Sequence, residues 1–425
     1  LSQLTTTSIV AVRLLTRSEH LRVEHMKKHI LILGSGFAGM WAAVSAARLA
    51  YINGGDDINI SVLAPHPELR VRPRFYENNV ASLVSPLAPL FTALNIHFIQ
   101  GNAKRIDNKT KNVWYSDAEG QLASASYDRL VLATGSNARQ VTVPGAGQYT
   151  FNIDQLESAH VFEKHLTGLA NQAPTPARNT VVVCGGGFTG IELATELPSR
   201  LRDLFGPETK TKVIVVERGD VIGGRYSEAL RDVIEQASRE IGIEWRLQAD
   251  ITAIDATGVT LSDGSHIASS TVVWTAGVQA NALTEQFAAE RDSVGRLYVD
   301  ENLQIRGVSD VFATGDVAHA ATDDVGNTAL MSCQHAIQLG KFAGNNVAAS
   351  ILGLPPIPYR QVNYVTCLDL GSWGAVFTEG WDQKVQSVRE EAKKIKIAIT
   401  NELIYPPRAE RDVAFAAADP LAKFV

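Results

Sequence analysis

Cysteine is scarce: three occur in 425 residues, at Cys184, Cys333 and Cys367. Spaced so widely, they build neither a disulfide framework nor a zinc site, and they fit a reducing compartment. Positive charge is not in excess either. Thirty-nine basic and 45 acidic side chains give a formal charge of −6, which removes the electrostatic case for a nucleic-acid partner. The ten histidines suggest no metal site. Long apolar runs are nearly missing. Residues 30–47 carry no charge and are about long enough to cross a bilayer. Gly34, Gly36 and Gly39 break that run where a strand would hand over to a helix, so a buried βα unit explains it better. No other transmembrane candidate is found. Apolar residues make up 45 % and charged residues 20 % of the chain, the profile of an ordinary soluble globular protein, and the length suggests two or three domains.

The beginning of the chain is unusual. Residues 1–25 lack firm periodicity, and "SIVAV" is too short an apolar core for a signal peptide. Arginine without acid over the first eighteen residues leaves a transit peptide open. The preferred reading is an extension, with the native domain starting near Met26.

Two phrases dominate what is present. "LGSGFAGMWAA" (33–43) and "CGGGFTGIELA" (184–194) each follow a short β-rich run and open a helical pattern. Both contain Gly-x-Gly-x-x-Gly. The first glycine allows a tight turn, the second lets backbone approach a pyrophosphate, and the third lets helix and strand pack closely. The helix then offers free N–H groups and its positive dipole end to phosphates. Gly34, Gly36, Phe37, Ala38 and Gly39 form one candidate nucleotide site. Gly185, Gly187, Phe188, Thr189 and Gly190 form the other.

The strand after such a turn should end in an acid that holds the adenosine ribose. "VIVVERG" supplies Glu217, which favours NADH over NADPH, although Arg218 and Arg225 soften that preference. After the first turn, Ala64 and Pro65 stand where the acid belongs. There the ribose must be held otherwise, by His66 or backbone, or not at all.

The surrounding pattern repeats too. Strand 29–33, helix 38–50 and strands 58–64 and 129–135 form a first unit. Strand 180–184, helix 188–204 and strands 212–217 and 271–277 form a second. Alternation of this kind argues for parallel α/β architecture, and Pro144 marks the crossing between the units. A third segment, 308–318, precedes a long helical pattern from 331 to about 349. In the last seventy residues "VNYVTCLDLGSWGAVF" is strand-like and "QKVQSVREEAKKIKIAITNEL" helical, with Pro406 and Pro407 ending that helix.

With "LVLATGS", "VVWTAG" and "VFATGDVA" added, the chain from about 28 to 353 resembles the two-dinucleotide-binding-domain flavoproteins, the FAD/NAD-linked reductases. The resemblance implies a discontinuous FAD domain with an inserted NAD domain. Both are Rossmann-like, and a small C-terminal α+β region follows. The corresponding division is 1–25 extension, 26–143 and 299–355 FAD domain, 144–298 NAD(H) domain and 356–425 C-terminal domain. It places Ala133, Thr134, Gly135, Gly277 and Gly315 at cofactor turns and Asp316 on the FAD ribityl chain; alone, Asp316 reads equally as a helix cap or turn acid.

No cysteine precedes Cys184, so the early Cys-x4-Cys of disulfide reductases is missing. "RPRFYENNVASL" (72–83) and "SCQHAIQLGKFAGNN" (332–346) instead resemble type II NADH dehydrogenases. That likeness puts Arg72 and Pro73 near the flavin. Cys333 stands where that family has alanine, and Gln334 and Gln338 lie on a quinone-site helix. Four apart, those two amides share a helix face, which a solvated polar face would explain equally. The resemblance also brings Glu192 to the flavin–nicotinamide junction, as a proton-handling group or as a complement to the helix dipole.

The activity so implied is hydride transfer from NADH to FAD, then two electrons to a quinone-type acceptor, without proton pumping. Alternatives are a soluble acceptor, a slow-turnover redox sensor, or a sulfide route through Cys333 and Cys367. Val385, Val388, Ala392, Ile395, Ile399 and Leu403 make an apolar stripe with Lys393, Lys394 and Lys396 beside it. Such a helix lies on an anionic membrane surface, or packs on the body or on a second subunit of a homodimer; packing on the body or a second subunit is preferred. The expected location is cytoplasmic, with peripheral attachment to the inner membrane face left open.

Overall fold

Short runs of Ile, Val and Leu, buried on both faces, are the sequence of parallel strands covered by helices, and they set the frame. The computed structural model describes residues 27–55 and 57–422; the 1–25 extension lies outside them. Strand β1 (Lys28–Leu33) turns into α1 (Phe37–Ile52) and returns as β2 (Ile58–Ala64). After 65–96 the chain continues through β3 (His97–Asp107), β4 (Asn112–Asp117), β5 (Leu122–Ser126) and β6 (Arg129–Leu132). The plan restarts with β7 (Thr180–Cys184), α2 (Phe188–Phe205), β8 (Lys212–Val216), α3 (Glu228–Ile241), β9 (Glu244–Arg246) and β10 (Thr271–Trp274). Strand β11 (Val311–Ala313) and helix α4 (Cys333–Leu352) follow.

Among the described residues the first sheet has the order β11-β6-β1-β2-β3-β4-β5 and the second β9-β8-β7-β10. Strands β11 to β3 of the first sheet, and all of the second, pair in parallel. β11 joins the first sheet although the whole second unit intervenes in sequence, so the first unit is discontinuous. Ser136–Ala138 and Val278–Ala280 pair antiparallel where the chain leaves and returns. Phe287, Leu297 and Val299 pack with Ile30–Leu33 in one core. The return therefore lies near 278–280 and not at the 298–299 division expected from sequence.

Helices α1 and α4 lie against each other at the first sheet. A Cβ on Gly340 would sit 2.4 Å from the Ala38 carbonyl oxygen, and one on Gly344 2.1 Å from that of Ala42. Glycine is required here because the two backbones touch.

The last segment differs from expectation. β12 (Val365–Asp369), β13 (Ala375–Glu379) and β14 (Lys384–Val388) form an antiparallel sheet, and only then does α5 (Arg389–Ala398) begin. Val385 and Val388 are thus strand residues. Left-handed backbone at Gly380 (φ 79°) and Gln383 (φ 54°) closes a hairpin between β13 and β14, and its ladder overrides the helical period. A final helix, α6 (Arg411–Ala417), packs on α1, with Tyr51 against Phe415 and Arg48 paired to Asp419 at 2.6 Å. No helix among the described residues is long and apolar enough to cross a membrane.

Candidate active site

The two glycine turns have nearly the same geometry. Gly34 has φ 110° and Gly185 φ 108°. A Cβ on Gly34 would lie 2.3 Å from the Ala133 carbonyl oxygen, and one on Gly39 or Gly190 would lie 1.9 Å from the carbonyl oxygen of Gly34 or Gly185. The middle glycines are the reverse. Gly36 and Gly187 face open space and stand as helix N-caps with no side-chain hydrogen bond. Each turn therefore leaves first-turn amides uncovered beside an open approach, the arrangement that takes a phosphate. Phe37 is half-buried and Ala38 buried behind the first turn; Phe188 and Thr189 are exposed at the second. A dinucleotide fits both.

Glu217 follows β8 and reaches back to the second turn. Its Oε2 accepts from the Gly186 amide at 2.8 Å and its Oε1 from the Gly219 amide at 2.9 Å. At the first turn, Ser35 Oγ donates to the His66 carbonyl at 3.0 Å while His66 itself is exposed. Thr134 and Thr314, in the two Ala-Thr-Gly phrases, bury Oγ1 atoms without hydrogen-bond partners among the described residues. Orphaned hydroxyls beside a turn are what a bound polar group would satisfy. Gly135 (φ 66°) and Gly277 (φ 85°) turn the chain after β6 and β10.

Asp316, after Gly315, accepts from Ser136 Oγ at 2.6 Å and lies 3.6 Å from Arg72 Nη1. Burial pushes its carboxyl up, and the Arg72 guanidinium opposes that shift. Arg72, beside the half-buried Pro73, also donates to Ser136 Oγ at 2.8 Å and pairs with Asp154. Ser136 ends the "LVLATGS" phrase without having been singled out, and Asp154 had no motif to announce it.

The third component is α4. Ser332 caps it by accepting the His335 amide. Cys333 and Gln334 are half-buried at its start, whereas Gln338 is buried with Nε2 unpartnered among the described residues. Burial pushes the Cys333 thiol up to about 11 and the Cys367 thiol to about 12, with Lys396 opposing both. Neither is a thiolate at neutral pH, which weakens the sulfide route.

Glu192 is where the second unit meets the C-terminal segment. It is buried in α2 and ion-paired with Lys396 of α5 at 2.7 Å. Glu192 Oε1 also accepts the Asp369 amide at 3.0 Å. Lys393 of α5 reaches Asp369 at 2.7 Å, and Tyr76 donates its hydroxyl to the same carboxylate at 3.1 Å. Burial lifts Glu192 to about 7, with Lys396 opposing and Asp369 adding to the shift. Lys396 stands 5.7 Å from the Phe188 ring centre and perturbs Cys333, which Asp316 also perturbs. Lys396 thus joins Glu192 to the second turn, and its charge and that of Asp316 both act on Cys333.

Lys396 corrects the stripe read from sequence. It faces inward with Ala392, four residues earlier on the same side of α5, and the i, i+4 spacing to that buried alanine was the available signal. Asp369 ends an ordinary strand and carried none. Among the described residues no group of three or more His, Cys, Asp or Glu side chains gathers as a metal site.

Paired glycine turns on a discontinuous first unit and on a second inserted in it, with the C-terminal segment held to the second by a buried acid–lysine pair, have the plan of a two-domain pyridine-nucleotide oxidoreductase. The pyridine nucleotide-disulphide oxidoreductase model matches residues 28–340, and the chain belongs to that family; it is an NAD(P)H-dependent oxidoreductase. It is 41 % identical to an NADH dehydrogenase-like protein of Mycobacterium tuberculosis over 92 % of this chain and 98 % of that one. It is 27 % identical to the demethylphylloquinone reductase NdbB of Synechocystis over 83 % and 87 % of the two chains. In fold it is similar to NDH2 from Plasmodium falciparum in complex with NADH, with TM-score 0.74 at 13 % identity, covering 92 % and 97 % of the chains.

Proposed function

We propose that the protein is an FAD-dependent NADH dehydrogenase that reduces a quinone-type acceptor without pumping protons. The observation that carries this reading is the junction at Glu192. There Lys396, paired with Glu192, stands 5.7 Å from the Phe188 ring at the second turn, while Gly315, next to Asp316, lies against Ala38 of the first turn and Ala336 of α4. The resemblance to type II NADH dehydrogenases and the quinone reductase among the relatives support the acceptor class. When bound, FAD supplies the two-electron chemistry, taking a hydride from NADH and passing electrons on to the acceptor.

The residues present divide the remaining work. Amides at Gly36 and Gly187 hold the pyrophosphates of FAD and NADH, and Glu217 accepts from a ribose of NADH. Asp316, oriented by Ser136 and Arg72, accepts from hydroxyls of the FAD chain. The amide-rich start of α4 turns its positive dipole end to the same pocket, favouring negative charge there. Glu192, poised near neutrality, holds a proton at a carboxyl oxygen, and Lys396 stabilises the ionised form. Gln334 and Gln338 offer amides to the acceptor.

Reduction of a soluble carrier is the second reading. It is favoured by the inward packing of Ala392 and Lys396, which turns one side of α5 onto the body and leaves Ile397, with Leu403 beyond its end, as exposed large apolar residues. Comparing kcat/KM for short-chain quinones and soluble carriers, with membrane fractions included, separates the two. Purified protein that is yellow and bleaches with NADH under anaerobic conditions meets the expectation. A colourless protein that cannot be reconstituted with FAD refutes it.

A further inference from the structure

The loop that follows Glu217 does not end within its own domain. At its end Ser227 caps α3, accepting from the Leu230 amide. The Ser227 amide donates to Gln383 Oε1 at 2.9 Å, and Ser227 Oγ donates to the Gln383 carbonyl at 3.2 Å. Gln383 sits in the left-handed turn of the β13–β14 hairpin. The same turn carries Trp381. Its ring stacks on Tyr364 at 4.5 Å between centres and 18° between planes.

Both rings continue to the start of α4. His335 lies 5.7 Å from Tyr364 and 5.9 Å from Trp381 between ring centres. Its Nδ1 is 3.0 Å from Oγ of the capping Ser332. Hydrogen bonds to Gln383, the turn backbone from Gln383 to Trp381, and ring contacts therefore connect the loop after Glu217 to the first turn of α4, which holds Gln334. In this state Glu217 clasps the loop by accepting the Gly219 amide while it also accepts the Gly186 amide. A ribose that competes for this carboxylate changes what holds the loop.

We propose that Gln383 is a positioning residue that couples occupancy of the second nucleotide turn to the setting of α4 at the acceptor end. This rests on reading that turn as the NADH site. The coupling is reciprocal, so the acceptor's affinity and that of the nucleotide alter each other by the same factor.

The test uses FAD-loaded protein and NAD+ as probe. Calorimetry gives NAD+ binding, and the emission difference between wild type and Trp381→Phe isolates the signal of Trp381. The expected result is a Trp381 change that saturates with NAD+ binding and disappears in Gln383→Gly, a substitution the left-handed φ accommodates. In parallel, the Kd of a non-reducible quinolone should differ about fivefold with and without saturating NAD+, and the ratio should fall to near one in Gln383→Gly. If Gln383→Gly fails to retain FAD, Tyr364→Leu removes the ring between Trp381 and His335 and should give the same loss of the Kd ratio. NAD+ binding without a Trp381 change, or a change that survives these variants, overturns the coupling and leaves the nucleotide site standing. Failure of NAD+ to bind overturns the site reading and the coupling with it.

Discussion

Replacing Lys396 by Met tests the junction most directly, because it removes the ammonium from a carboxylate that burial already holds at about 7. Cutting one partner from a buried pair commonly costs about 3–5 kcal/mol, since the remaining charge loses its compensation. Glu192 has an escape, which is to take up a proton. Burial acts on it first and Lys396 opposes, so losing the lysine moves the folded-state pKa further up. A carboxyl raised in the folded state contributes stability that is present below its unfolded pKa and lost as pH rises through the folded one. In wild type that loss is largely complete just above pH 7. In Lys396→Met it continues, and the gap between the proteins widens by about 1.4 kcal/mol per pH unit above 7. Thermal melting of the FAD-loaded proteins from pH 6 to 8.5 measures this. The expected difference in Tm is small at pH 6 and grows by several degrees, and the double variant Glu192→Gln/Lys396→Met is both milder and flat with pH. A pH-independent loss, or a double variant no better than the single, refutes the buried-pair account.

Further outcomes follow from the same geometry. Gly187→Val places its side chain in open space, so Tm should hold while NADH affinity falls at least about tenfold by loss of phosphate approach; Gly190→Val, aimed at the Gly185 carbonyl, should fail to fold. Glu217→Ala should erode the preference for NADH over NADPH by roughly tenfold in the ratio of kcat/KM, and an unchanged ratio would remove Glu217 from the ribose. Converting Cys333 and Cys367 to Ser should leave NADH oxidation within about threefold, because thiols held this high are not nucleophiles at neutral pH; abolition would restore the sulfide route.

The parallel strands and both turns were legible in the sequence because their chemistry is local. β-Branched runs end in glycines that need particular φ values, and those glycines recur in register with a helix. Glu217 could be anticipated for the same reason, since strand length alone carries it back to the turn. The C-terminal hairpin was not legible. Besides Gly380 it needs a left-handed Gln383, a residue with no turn signature, and its strand Lys384–Val388 keeps apolar residues that also fit a helical period. The Glu192–Lys396–Asp369 cluster was hidden differently. Its members come from three elements, and only the packing of α5 on the C-terminal sheet, which brings Lys396 to Glu192 of α2, makes an ordinary lysine into a buried counter-ion. The return crossing was misplaced because 281–298 has few regular elements, and its allegiance is decided by where Phe287 and Leu297 find apolar neighbours.

The hydrogen-bonded ribbon of Ser136–Ala138 and Val278–Ala280 gives the molecule the anatomy of a cassette. Entry and exit of the inserted unit emerge side by side, so a different electron-donor module could be grafted between them with the host sheet left uncut. The tail is the obstacle to such an exchange: Lys396 of α5 pairs with Glu192 of α2, and any replacement would have to offer that lysine a matching acid.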